Sequence, residues 1–138
     1  MYFLGIDIGS SSIKVAVMRM AEAGLPDAII GKANVDYPTY YPIDDSSEQN
    51  ADEWNHAAVV AIKNAVSSMS DEEKSKIIGI SFSSQAGSIY PADENGKPLY
   101  NALTWMDRRA VAEHEEVVKT FGIDFSADKS VCGGRLPA

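Results

Sequence analysis

Apolar and polar positions alternate in two short runs at the start of the chain. Residues 3 to 8 alternate in this way, and residues 12 to 18 place Ile13, Val15 and Val17 on one side and Lys14 on the other. A period of two residues predicts β-strands with one buried face. Because only Gly9 and three serines separate the runs, residues 3 to 18 are predicted to form a β-hairpin.

The same pattern continues into a third strand. Residues 21 to 27 contain Gly24 and Pro26 and predict a turn, and residues 28 to 35 are β-prone. Three consecutive strands joined by short turns predict an antiparallel meander. Residues 37 to 50 contain two prolines, two aspartates and two serines, and are predicted to form a surface loop.

A helical period follows. Apolar residues recur every three or four positions from residue 53 to residue 69, and Asn50 or Asp52 can cap the first turn. The apolar run at residues 77 to 83 predicts a buried strand. The order β-β-β-α-β therefore predicts an α/β sheet with an antiparallel edge.

The last third of the chain is predicted less regularly. Residues 89 to 99 are predicted to form a hairpin that turns at residues 93 to 96, and residues 102 to 105 are predicted to form a strand. Asp107 can start a further helix. Beyond residue 121 the pattern weakens, and residues 124 to 138 show no clear period.

Composition and charge narrow the function. The chain has 138 residues, with 20 acidic and 12 basic side chains and a net charge of −8, which argues against a nucleic-acid surface. A bound phosphate would therefore depend on local backbone donors or on a metal ion. The single cysteine, Cys132, excludes an internal disulfide framework within these 138 residues, and the sequence predicts neither a signal peptide nor a membrane span. A cytoplasmic protein that does not bind a membrane is expected.

The turn at Gly9, Ser10, Ser11 and Ser12 is the first candidate site. A tight turn of small residues lets backbone N–H groups approach a phosphate closely. Asp7 could hold Mg²⁺ against the phosphates, and Lys14 could neutralise their charge. The alternative is a plain hairpin with a solvated turn. The segment matches neither a Walker A loop nor the dinucleotide fingerprint.

Two further segments could contact a substrate. Ser84 and Gln85 follow the predicted buried strand, where they could hydrogen-bond a polyol, although composition alone favours a strand that runs into a simple polar turn. Trp105 could present an apolar wall to a sugar, with Asp107 and Arg108 bonding its hydroxyls. The alternative is a core tryptophan followed by a helix cap. His56 and His114 stand 58 positions apart and suggest no metal site.

Four segments in order resemble the N-terminal domain of the FGGY family of carbohydrate kinases. They are Phe3 to Lys14, Glu48 to Trp54, Ile78 to Gln85, and Gly96 to Arg109, which resembles the family's Gly-x-Pro…Trp-x-Asp-x-Arg block. Ala51 stands where the family usually has proline. Relatives recognising glycerol or xylulose carry Arg-Glu or Met-His at positions 84 and 85, whereas this chain has Ser-Gln. The sugar is therefore left open.

The resemblance implies an actin-like, ribonuclease-H-related lobe and ATP-dependent phosphorylation of a sugar or polyol hydroxyl. It implies that Asp7, Gly9, Ser10, Ser11, Ser12 and Lys14 face ATP and Mg²⁺, with Asp7 as the metal ligand. It also implies that Ser84, Gln85, Trp105 and Asp107 contact the small-molecule substrate.

Family members are about three times longer than a domain of this size. Residues 1 to 138 are therefore expected to be part of the first kinase domain, with the general-base aspartate and most of the adenine pocket beyond Ala138. We expect such a fragment to be inactive alone, and to bury an open face as a homodimer. The alternative is a non-catalytic nucleotide- or sugar-binding module of the same fold.

Overall fold

The computed structural model describes residues 1–20 and 27–122. The predictions for residues 21 to 26, for Cys132 and for residues 124 to 138 lie outside these ranges. The chain divides into two units, which we describe separately. Unit 1 contains Met1–Tyr37 and Asp52–Gln85, and unit 2 contains Pro38–Ala51 and the residues from Ala86 onward.

The described strands and helices follow one another along the chain. In order they are β1 (Tyr2–Ile8), β2 (Ser12–Arg19), β3 (Ala28–Asp36), β4 (Glu48–Gln49), α1 (Ala51–Ala65), α2 (Asp71–Lys74), β5 (Ile77–Ser84), β6 (Ala102–Leu103) and α3 (Val111–Phe121).

The sheet of unit 1 has the strand order β3-β2-β1-β5. β1, β2 and β3 form the predicted antiparallel meander, and β5 pairs with β1 in parallel. The α/β class with a mixed sheet is therefore confirmed. A parallel neighbour for β1 requires a long connection, and the chain between β1 and β5 passes through β2, β3, β4, α1 and α2.

One face of this sheet is buried, as the alternation predicts. Its core contains Leu4 and Ile6 of β1 and the three apolar residues of β2. The helix contributes small side chains at four-residue spacing, namely Ala57, Ala61 and Ala65. Small residues on the helix let its backbone approach the sheet closely, and Gly31 of β3 lies at the point of contact.

The prediction that β5 is a buried strand is wrong: none of its eight residues is buried, and six are exposed. Ile78, Ile80 and Phe82 are 60%, 57% and 68% exposed. The register places Ile80 beside Leu4 and Phe82 beside Ile6, so these side chains lie on the face of the sheet that carries the core. However, β5 is the edge strand of the described sheet, and the buried cluster is centred on β1 and β2.

The predicted surface loop at residues 37 to 50 is also wrong in part. Tyr37 is buried in unit 1, and Ser46, Ser47, Glu48 and Gln49 are buried in unit 2. The polar residues are covered because β4 pairs with β6, bringing Glu48 opposite Leu103 and Gln49 opposite Ala102. The turn at residues 93 to 96 is confirmed: the Asp93 carboxylate accepts hydrogen bonds from two turn amides.

The third helix begins at Val111 rather than at Asp107. The Asp107 carboxylate accepts a hydrogen bond from the Ser47 backbone, 60 positions away, instead of capping a helix. The one-turn helix α2 was not predicted, and its capping box at Ser70 and Glu73 is a local signal that could have revealed it. No helix within the described ranges is long and apolar enough to cross a membrane.

We expect Gly31→Ala to destabilise unit 1 strongly. A methyl group on Gly31 would lie 2.0 Å from the backbone carbonyl oxygen of Ala65. Neither the methyl group nor this oxygen can move away without a shift of the backbone. The expected loss is about 3 kcal/mol, at the upper end of overpacking costs. Gly5→Ala is the matched control, since its methyl would come no closer than 4.0 Å to the Ala16 carbonyl. Equal midpoints of thermal unfolding for the two variants would contradict the close helix–sheet contact.

Candidate functional site

The turn between β1 and β2 is closed by a hydrogen bond from the Gly9 amide to the Ser12 carbonyl, 3.0 Å long. A methyl group on Gly9 would lie 3.2 Å from that carbonyl oxygen and 3.3 Å from Lys14 Nζ. Glycine therefore leaves room for the lysine ammonium to lie beside the turn. The structure brings together the turn residues, Asp7 and Lys14, as the sequence predicts.

Asp7 and Lys14 are directly opposite each other on β1 and β2. Lys14 Nζ lies 3.5 Å from Asp7 Oδ2, and both side chains are about half exposed. An exposed pair of this kind contributes little to stability. It can exchange partners at low cost, so the ammonium could shift from the carboxylate to a phosphate.

This pair belongs to a wider surface that was not predicted from the sequence. Asn34 of β3 pairs with Lys14, and Ser83 of β5 pairs with Asp7, so one row of polar side chains crosses all four strands. The next row places Lys32 and Ser81 on either side of Ala16 and Gly5. The alternation of β3 was visible in the sequence, and its register with β2 would have identified Lys32 and Asn34.

These two rows line a groove of about 820 Å³ in unit 1. Its floor is made of small residues, Gly5 and Ala16, while Asp7, Lys14 and Lys32 supply charges. The face opposite the hydrophobic core is thus open, and it carries charged and polar side chains among apolar ones. Such a concave surface with a few charged groups at one end is a reasonable ligand site.

Asp7 fits a magnesium ion bound mainly through phosphates and water. Among the described residues, no group of three or more potential protein ligands could enclose a metal ion. Mg²⁺ commonly uses one or two carboxylates together with substrate phosphates and several waters. The exposed Asp7 carboxylate beside the turn meets that requirement, whereas an all-protein metal centre is not formed there.

Ser84 and Gln85 lie at the carboxyl end of β5 in unit 1. Ser84 pairs with Ile8, and the Gln85 amide donates a 2.8 Å hydrogen bond to the Ile8 carbonyl. β1 and β5 are parallel, so both strands end at the edge where the phosphate-turn candidate begins. In unit 1, the residues predicted to bind a sugar and those predicted to bind phosphate therefore lie at the same edge of the sheet.

Trp105 and Asp107 belong to unit 2 and differ in their environments. The Trp105 residue is 48% exposed, so its ring remains accessible. The Asp107 carboxylate is buried and accepts hydrogen bonds from the Ser47 amide at 2.8 Å and from the Arg109 guanidinium at 2.7 to 3.1 Å. A direct contact of Asp107 with substrate stays a prediction.

Arg109 links two buried carboxylates. Its Nη2 atom lies 2.7 Å from Asp107 Oδ2 and 2.9 Å from Glu48 Oε1. Burial by itself would raise the pKa of Asp107, but hydrogen bonds from Arg109 and Ser47 outweigh it and hold that pKa below its ordinary value. The bonds to Asp107 likewise raise the pKa of Arg109, so both charges persist near neutral pH.

Glu48 connects Arg109 to two further residues of unit 2, Tyr100 and Asn101. Its carboxylate also accepts hydrogen bonds from Asn101 Nδ2 at 3.0 Å and from the Tyr100 hydroxyl at 3.3 Å. The Glu48 segment and the Trp105-to-Arg109 segment are therefore joined by side chains. Both segments were predicted from the sequence to be functional, but their contact was not.

Known proteins resemble this chain along most of its length. The model of the FGGY family of carbohydrate kinases, N-terminal domain, matches residues 2–132. The chain belongs to this family. A gluconokinase of Bacillus licheniformis is 37% identical over 109 residues, which cover 79% of this FGGY chain and 20% of the relative.

Two further kinases also match most of this chain. A xylulose kinase of Lactococcus lactis is 33% identical over 124 residues, covering 88% of this FGGY chain and 23% of the relative. A crystal structure described as a xyloylose kinase from Brucella ovis superposes with a TM-score of 0.78 at 26% identity, covering 92% of this chain and 25% of that one. The actin-like fold implied by the resemblance is confirmed. The chain thus spans about a fifth to a quarter of these relatives' lengths.

We expect Arg109→Lys to destabilise unit 2. A lysine cannot reproduce the paired hydrogen bonds to Asp107 together with the bond to Glu48. Breaking a fully buried pair costs about 3–5 kcal/mol. The Arg109 side chain is 26% exposed, so water can partly compensate, and the expected loss is about 2 kcal/mol.

Arg108→Lys is the matched control, because the Arg108 side chain is exposed. Thermal or urea unfolding of both variants measures the difference. If Arg109→Lys left the protein as stable as Arg108→Lys does, the cluster would not be what holds these segments together.

Proposed function

We propose that the complete protein containing this chain transfers the γ-phosphoryl group of ATP to a hydroxyl of a sugar, sugar acid or polyol. Membership of the carbohydrate-kinase family supports the reaction class. The observation that carries the proposal for this chain is the polar row across β5, β1, β2 and β3 beside the Gly9–Ser12 turn. It combines an exposed carboxylate, an ammonium group and backbone donors at one edge of the sheet.

Phosphoryl transfer requires mainly positioning and neutralisation of charge. In this proposal the turn holds the ATP phosphates by backbone N–H and serine hydroxyl groups. Lys14 leaves Asp7 and lies against phosphate oxygens. Preorganised donors of this kind are effective because they need little rearrangement as charge moves in the transition state.

Asp7 is proposed to hold Mg²⁺, through its carboxylate directly or through a bound water. When bound, the ion neutralises phosphate charge and orients the transferring group. Asp7 supplies a partner for the ion at the end of β1, and it is not proposed as the general base. That role is proposed for an aspartate beyond Ala138.

Each unit offers its own proposed contacts for a hydroxyl acceptor. In unit 1, Ser84 and Gln85 offer hydroxyl and amide groups for a polyol. In unit 2, the exposed Trp105 ring offers an apolar surface for the C–H groups of a sugar. Asp107 has its oxygen atoms engaged by Arg109 and Ser47, and it is proposed to act mainly by holding the Trp105 segment in place.

A phosphorylation screen of the complete protein tests the proposed reaction. ADP release is measured with ATP, Mg²⁺ and one acceptor at a time, from a set containing gluconate, ketopentoses, aldohexoses and polyols. We expect rapid ADP release with one chemical class of acceptor, and none from the 138-residue chain alone. ATP binding without transfer to any acceptor would instead support a nucleotide-binding module.

We expect Asp7→Asn to lower kcat/KM of the complete protein about 100-fold, because the amide is a poorer partner for Mg²⁺. The variant should also require a higher Mg²⁺ concentration for half-maximal rate. Asp44→Asn removes an exposed loop carboxylate in unit 2 and is the matched control. An unchanged Mg²⁺ requirement after the Asp7→Asn substitution would show that Asp7 does not hold the ion.

A further inference from the structure

Two groups of Tyr37 reach the turn between β1 and β2. The Tyr37 amide donates a 3.1 Å hydrogen bond to the Ser11 carbonyl, and its hydroxyl donates one to the Gly9 carbonyl. One residue, placed immediately after β3, thereby contacts the turn from its backbone and from the end of its side chain. Neither contact is suggested by the local sequence.

These two bonds determine how the turn's peptide groups are oriented. A trans peptide is planar, and its C=O and N–H groups point in opposite directions. A carbonyl of Gly9 that points toward the Tyr37 hydroxyl therefore directs the Ser10 N–H away from it. The Ser11 carbonyl, held by the Tyr37 amide, similarly directs the Ser12 N–H away from that amide.

We propose that Tyr37 is a positioning residue for the phosphate-binding turn. It fixes the planes of the Gly9–Ser10 and Ser11–Ser12 peptides, so that the turn presents its donors in one conformation before ATP arrives. This inference rests on the proposed function, because it takes the turn's ligand to be a phosphate. Tyr37 itself does not touch the phosphate or the reacting atoms.

The surroundings of Tyr37 make it suitable for this role. The residue is 7% exposed, and its ring centroid lies 6.3 Å from that of Trp54 in the first turns of α1, with the rings tilted by 54°. Aromatic pairs of this geometry are attractive and restrict ring motion. Burial, with a further contribution from the charge of Asp7, raises the pKa of Tyr37 above its ordinary value, so its hydroxyl is protonated and able to donate at neutral pH.

The competing explanation is that Tyr37 only fills the core. Tyr37→Phe separates the two, since it keeps the ring and its packing but removes the hydroxyl that bonds to Gly9. Tyr2→Phe is a matched control at the far end of β1. Tyr2 is also buried, and its hydroxyl donates to Glu73 Oε1 at 3.3 Å, away from the turn.

Steady-state kinetics of the complete protein provide the first test. We expect Tyr37→Phe to raise KM for ATP about fivefold to tenfold, as the loss of one hydrogen bond would allow. The KM for the hydroxyl acceptor should stay within about twofold of its original value, because the acceptor does not contact the turn. Tyr2→Phe should change neither constant. An unchanged KM for ATP in an active Tyr37→Phe protein would overturn the proposal.

Amide hydrogen exchange without nucleotide provides a second test that does not depend on kinase activity. We expect peptides containing residues 9 to 12 to exchange faster in Tyr37→Phe than in Tyr2→Phe, with the rest of the sheet unchanged. Equal exchange in the two variants would overturn the positioning role. Absence of ATP-dependent activity in the unmodified protein would instead count against the proposed function, so the two failures are distinguishable.

Discussion

The close contact between α1 and the sheet is the constraint on which the rest of unit 1 depends. Gly31 has no side chain, and the helix presents alanines to the sheet. The backbones of β3 and α1 therefore come so close that a methyl group on Gly31 would not fit between them. This contact assigns one face of β1, β2 and β3 to the hydrophobic core. Because side chains alternate along a strand, every second residue must then lie on the opposite face. The groove that Gly5, Ala16, Asp7 and Lys14 line on that opposite face is the direct consequence.

The register of the strands determines which polar side chains lie next to one another on the face opposite the core. Antiparallel pairing aligns Asp7 with Lys14, and parallel pairing adds Ser83 beside Asp7. A shift of one residue in either pairing would exchange the core and groove faces. The hydrophobic contact with α1 therefore also protects the arrangement of charges on the opposite face of the sheet.

Unit 2 is organised by polar rather than apolar burial. Its covered side chains include Glu48, Asp107 and Thr104, and the ion pairs of Arg109 compensate for removing the carboxylates from water. A buried charge that loses its partner is costly, so these segments are held to one geometry. The exposed Trp105 emerges from this segment, which suits a residue proposed to contact a substrate.

The sequence by itself determined the meander, the main helix, the Gly9–Ser12 turn and the family, because alternation, helical spacing and short motifs are local properties of the chain. It also identified Asp7 and Lys14 as residues beside the turn, since a tight hairpin leaves little choice of register. Tertiary structure alone decided that Tyr37 holds the turn, that Arg109 meets Glu48, and that the apolar side chains of β5 stay exposed. Each of these depends on which distant segment lies alongside, and periodicity within one element carries no information about that partner.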